Sequence, residues 1–268
     1  MSGFVYIDHE APGHLKAAVS GARVTLPSFE PPWLVVDHVL ERVLVVRWPG
    51  RLFRVEVVPP ATDEERAAMA RAAENLRPDA GYTRAVSVDL VEELSPSVLF
   101  GRHGDAVCRV LDAGRDLDEE RARRLAGARP PASDRAYSAA WDRWLAEQPK
   151  GARHHGRDHG STPAVSGVGP STSPIGHGFS VLCHTVRTSA KLHGGAGAYA
   201  VDEDGDEVLA DPWHTALGAL LDAAMAFGAP RCVDGEGATV LKAAWNSVFG
   251  PVMPVAEGGM RGMRLSRP

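Results

Sequence analysis

Cys183 and His184 are adjacent in a segment that also carries His177 and His193, GHGFSVLCHTVRTSAKLHGG. A thiol beside an imidazole is the pair from which a nucleophile or a soft-metal site is assembled, with the imidazole acting as base or ligand. On one helix His177 and His184 would lie two turns apart on nearly one face. Cys183, His184 and His177 are therefore the candidate catalytic residues and the candidate metal ligands. Carboxylates such as Asp89 or Asp211 could complete a site assembled in three dimensions. The plainer use of Cys183 is as a small buried hydrophobe, the commonest role of a free cysteine.

Other chemistry-bearing patterns are weaker. His154, His155 and His159 cluster in RHHGRDHG, but a functional metal site needs ligands on rigid elements with an ordered second layer, which a glycine-rich tract does not supply. HGGAGA, His193 to Ala198, resembles an anion-holding loop, yet GxSxG, GxGxxG after a strand and GxxxxGK[ST] are all missing, so a helix stop is the better reading. DEDGDE, Asp202 to Glu207, has alternating carboxylates but lacks the glycine at position six and the bidentate glutamate at position twelve of a calcium loop, and reads as an acidic hairpin tip. HEAPGH, His9 to His14, has the wrong spacing for HExxH and a Pro12-Gly13 break. No cofactor is expected.

The second candidate surface comes from the densest apolar stretch, Trp33 to Val58. Val43 to Trp48 is a β-branched run, Pro49-Gly50 a turn pair, and Phe53, Val55 and Val57 alternate with Leu52, Arg54 and Glu56. This predicts a β-hairpin with an exposed Trp48 at or beside its tip. Arg47, Trp48, Arg51 and Arg54 would then form a contact surface, since Trp and Arg dominate interface energetics. Val36, Val39, Leu40, Val43 and Leu44 also fall at helical spacing, so Val35 to Leu44 stays open between helix and strand. Phe179 to Val186 carries the same ambiguity.

These residues need elements to position them. Phe4 to Ile7, Arg23 to Leu26 and Arg84 to Val91 are further strand candidates beside the hairpin. Thr62 with Glu65 is a capping box opening a helix after Pro59-Pro60. Asp118 caps a charged helix, and Ser133 or Asp134 opens another whose Trp141 and Trp144 make an anchoring face. Later, Asp204-Gly205 turns a hairpin between Ala198 to Val201 and Glu207 to Leu209. Asp211-Pro212 opens a helix ending near Gly228, and a last helix carries Leu241, Ala244 and Trp245. The expected fold is α+β. An N-terminal antiparallel β-meander with packed helices (1–148) leads through a flexible Gly/Ser/Pro/His-rich linker (149–174) to a small helix-rich α+β domain (175–268).

Composition bounds the function. The chain has 268 residues, 44% of them hydrophobic, and three widely spaced cysteines without CxxC. That argues against a disulfide framework and fits a reducing cytoplasm. The net charge of −5 gives no global reason to bind nucleic acid, which usually needs a basic stripe. No apolar run reaches the roughly 20 residues of a membrane span. The leading expectation is a non-enzymatic protein-interaction or regulatory protein in the cytoplasm, with a protein partner. The alternative is an enzyme with an assembled Cys/His site in the C-terminal half, possibly metal-dependent.

Overall fold

The computed structural model describes residues 1–74, 76, 80–147 and 174–252, with backbone alone at 41 and 174–178. The chain is an α+β protein with an antiparallel sheet in its N-terminal part and a helix-rich C-terminal part. The sheet contains β1 (Ser2–Asp8), β2 (Arg23–Thr25), β3 (Leu34–Asp37), β4 (Gly50–Val57), β5 (Tyr82–Ala85) and β6 (Ser87–Leu94), in the order β2-β6-β4-β1-β3-β5. No two strands consecutive in the chain are neighbours in this sheet. β1 runs along β4 over its whole length, from Ser2 opposite Glu56 to Asp8 opposite Gly50.

The order also dictates curvature. β5 and β6 stand four places apart in the sheet, roughly 19 Å if it were flat. Yet Val86 alone separates them in the chain, and one residue advances the backbone only about 3.8 Å. The sheet must therefore curl back on itself. Alternation puts Val5, Ile7, Val24, Val36, Phe53, Val55, Val88 and Leu90 on the enclosed side, where they form one buried cluster. The opposite face of the sheet is used too. Tyr6 stands across from Leu52, so both side chains project to the same side. Leu52 is fully buried there, and Tyr6 packs against the helical core.

The predicted hairpin over Val43 to Val58 does not form. β4 already has β1 on one edge and β6 on the other, which leaves no edge for Val43 to Trp48. The open segment at Val35 to Leu44 divides into β3, ending at Asp37, and a 3-10 turn at Leu40–Arg42. Beyond that turn the chain joins no regular element before β4 and feeds Val45 and Trp48 into the helical core.

The helices are α1 (Gly13–Lys16), α2 (Asp63–Ala73), α3 (Gly104–Arg115), α4 (Glu119–Ala128), α5 (Ser133–Glu147), α6 (Pro174–His193), α7 (Trp213–Gly228) and α8 (Gly235–Phe249). Their starts reflect local chemistry. Thr62 and Glu65 make the full capping box of α2, and the Asp118 and Asp234 carboxylates accept the N–H groups of Arg121 and Gly237. Such caps are worth about 1 kcal/mol each. Asp211 accepts from both the N–H and the hydroxyl of Thr215 in the first turn of α7. Between α6 and α7 lies the expected hairpin, β7 (Tyr199–Val201) with β8 (Glu207–Leu209), turned at Gly205 with φ of 86°.

Phe179 to Val186 is helical, part of α6. Leu182 and Val186 of α6 reach across to Gly114 of α3, where a Cβ would stand 2.9 Å from the Leu182 methyl. The same buried cluster joins Val107, Val110 and Leu111 of α3, Leu125 of α4, Trp213 and Leu220 of α7, and Trp245 of α8. The expected linker and the histidine tract at 154–159 lie outside the described residues. The helices on either side of that segment nevertheless share one core. Trp141 and Trp144 do anchor a packed face, with Trp141, Tyr137 and Phe179 in mutual ring contact at 5.4–6.2 Å.

Candidate functional site

α6 turns Val181, Leu182, Val186 and Ala190 into the core. Cys183 sits on the flank of that stripe and is half-buried, whereas His184 is exposed. Successive residues on a helix point about 100° apart, so thiol and imidazole diverge. Burial pushes the Cys183 thiol up, against the pull of Arg187, which disfavours the thiolate that nucleophilic or metal chemistry requires. The side chain of His177 lies outside the described residues. Asp89 forms a two-pronged pair with Arg23 at 2.7 and 2.9 Å, and Asp211 is occupied with Thr215. Among the described residues no three His, Cys, Asp or Glu side chains are grouped to hold a metal ion. His193 ends α6, and the glycines after it form a tight 3-10 turn at Gly195–Ala198.

The arginine and tryptophan segment is arranged differently from the sequence expectation. Trp48 is 8% exposed and sits against Phe100, with ring centroids 6.1 Å apart and nearly perpendicular. Its indole Nε1 donates to Asp112 Oδ1 at 3.0 Å. A large indole with a satisfied N–H is at home in a core, so the exposed tip is corrected to a buried anchor. Arg47 pairs with Glu10 at 2.8 Å, Arg54 with Glu92 at 3.1 Å, and Arg51 with Glu93 at 2.6 Å while also donating to the carbonyl of Ala18. Each guanidinium thus has a partner within the chain.

What remains open in this region is the stretch between the 3-10 turn and Trp48. Val43 and Val45 are 2% and 3% exposed, whereas Leu44 and Val46 are 39% and 55% exposed. That is the period-2 pattern of a strand with one face in the core. Among the described residues, no backbone N–H or C=O from Leu44 to Val46 has a hydrogen-bond partner. The segment has a strand's alternation of burial but no ladder partner among the described residues.

A second polar feature went unread in the sequence. Arg129, just beyond α4, reaches Asp222 in the middle of α7, with Nε to Oδ2 at 2.8 Å and Nη2 to Oδ1 at 3.3 Å. Nη2 also donates to Asp134 at 2.6 Å. The Asp222 side chain is 3% exposed and the Asp134 side chain 82%. Burial pushes the Asp222 carboxyl up, and the adjoining guanidinium pulls it down. Gly218, one turn before Asp222, makes room: a Cβ there would stand 3.0–3.2 Å from the guanidinium. A cavity of about 220 Å³ opens beside the pair and is walled by Tyr137, His214, Leu217 and Leu221. The signal was present as one carboxylate inside the apolar run ALLDAAM, since a buried acid is almost always paired. The partner stands 93 positions away in sequence and could not be read.

The fold and these features define an α+β protein with a paired buried charge at a small cavity and, from Leu44 to Val46, a half-exposed segment whose backbone has no partner among the described residues. Compared with known proteins, the chain matches no family model, no curated protein and no solved structure. Among the described residues no helix is long and apolar enough to cross a membrane.

Proposed function

We propose that this is a non-enzymatic interaction or regulatory protein that receives an extended partner strand along Val43 to Val46. The observation that carries the reading is the unpaired backbone of Leu44 to Val46 combined with the outward side chains of Leu44 and Val46. Open strand backbone is a template for strand addition, in which main-chain hydrogen bonds supply affinity and alternate side-chain contacts supply selectivity. Val45 and Trp48 hold the segment in the core, so the partner meets an anchored chain and the ordering cost of association is small. The raised Cys183 thiol and the divergence of His184 make the Cys/His enzyme the less supported alternative.

The test is selection of linear peptides on the full chain, then amide hydrogen exchange on the complexes. Selected peptides should alternate apolar residues, slow exchange at Leu44 to Val46, and lose binding at least tenfold to Leu44→Lys/Val46→Lys. Peptides that bind without protecting these amides would refute the assignment.

A further inference from the structure

The geometry points to a binding site for a small monocarboxylate with a short apolar chain at the outer edge of the Arg129 guanidinium. A guanidinium offers two edges on which a carboxylate can seat both oxygens. The inner edge, Nε and Nη2, is taken by Asp222 from within the core. The outer edge, Nη1 and Nη2, is held only by one oxygen of Asp134, on Nη2. Among the described residues Nη1 has no partner, and the same is true of the Tyr137 hydroxyl.

Asp222 is covered and fixed, so it cannot be displaced without leaving a buried charge unpaired, which is strongly disfavoured. Asp134 is a different matter. It is 82% exposed, and an exposed ion pair contributes little. Asp134 therefore stands where a ligand carboxylate would go, as a weak internal competitor, and a two-pronged ligand on Nη1 and Nη2 replaces it.

The walls define the rest of the ligand. Leu217, Leu221 and the Tyr137 ring face a cavity of about 220 Å³, below the 300–1,000 Å³ range of pockets for drug-sized ligands. Apolar walls of this extent suit a short branched or aromatic chain.

The experiment is calorimetric titration of the full chain with 4-methylpentanoate, with the uncharged 4-methylpentanamide as control, together with amide NMR shifts. Saturable binding of the carboxylate, at least tenfold weaker binding of the amide, and shifts centred on Gly218 and the Arg129 Nε–H are expected. Asp134→Asn removes the competitor at an exposed position and should tighten binding up to about fivefold, the worth of one exposed ion pair. Equal binding of acid and amide would overturn the assignment, as would shifts away from Gly218. So would no saturable binding, or an affinity unchanged by Asp134→Asn.

Discussion

Trp48 Nε1 donates to Asp112 Oδ1 at 3.0 Å, across 64 positions of sequence, and so ties the segment entering β4 to α3. The indole also fills space against Phe100. The two contributions can be separated. Trp48→Phe keeps most of the ring and loses the hydrogen bond, for about 1–1.5 kcal/mol including the smaller volume. Trp48→Ala adds a cavity, for about 3–5 kcal/mol in total. Urea unfolding of both variants checks the split. Equal losses in the two would place the weight on the hydrogen bond alone.

Arg129 and Asp222 form the deepest charge pair among the described residues, with side-chain exposures of 17% and 3%. Arg129→Met leaves Asp222 charged and unpaired in the core and should destabilise by about 3–5 kcal/mol. Adding Asp222→Leu removes the stranded charge and should recover most of that loss. A double variant as unstable as the single one would mean that the pair acts chiefly through shape.

Asp37 gives the chain a predictable response to pH. Burial raises its carboxyl from 3.8 to about 7, with Arg42 opposing the shift. A carboxyl whose folded value is raised binds protons more readily folded than unfolded. Its contribution is therefore fully present below the unfolded value and is lost as pH climbs from about 4 to about 7. At about 1.36 kcal/mol per pH unit the ceiling is roughly 4 kcal/mol. Asp37→Asn should flatten the stability profile over this window and exceed the native protein at pH 8. Denaturant midpoints across pH 4 to 8 measure it, and an unchanged slope in the variant would locate the titration elsewhere.

The core shared by α3, α4, α6, α7 and α8 has a consequence for cleavage. A protease site engineered after residue 160 should give two fragments that still migrate together on gel filtration without denaturant, because Val107, Leu125, Leu182 and Leu220 belong to one buried cluster. Fragments that separate and each remain folded would instead establish two independent domains on either side of the segment at 149–174.

The sequence by itself determined what depends on neighbours within a few positions. Thr62 with Glu65, Asp118, and the Asp204-Gly205 turn act through bonds of three or four residues, and each appears where the spacing places it. The α+β class came from the same local periodicities. Tertiary structure decided everything that depends on distant partners. The Trp33 to Val58 stretch has a hairpin's local pattern, but β4 is closed on both edges by strands drawn from before and after it. Trp48 is consequently carried inward to Asp112, and Leu44 to Val46 keeps the alternation of a strand without a ladder partner among the described residues. Arg129 finds Asp222 because α4, α5 and α7 pack together, and Cys183 and His184 part because a helix turns one of them away from the core. Pairing over such separations costs loop-closure entropy that only the summed burial of a core offsets, and no short window of sequence records that sum.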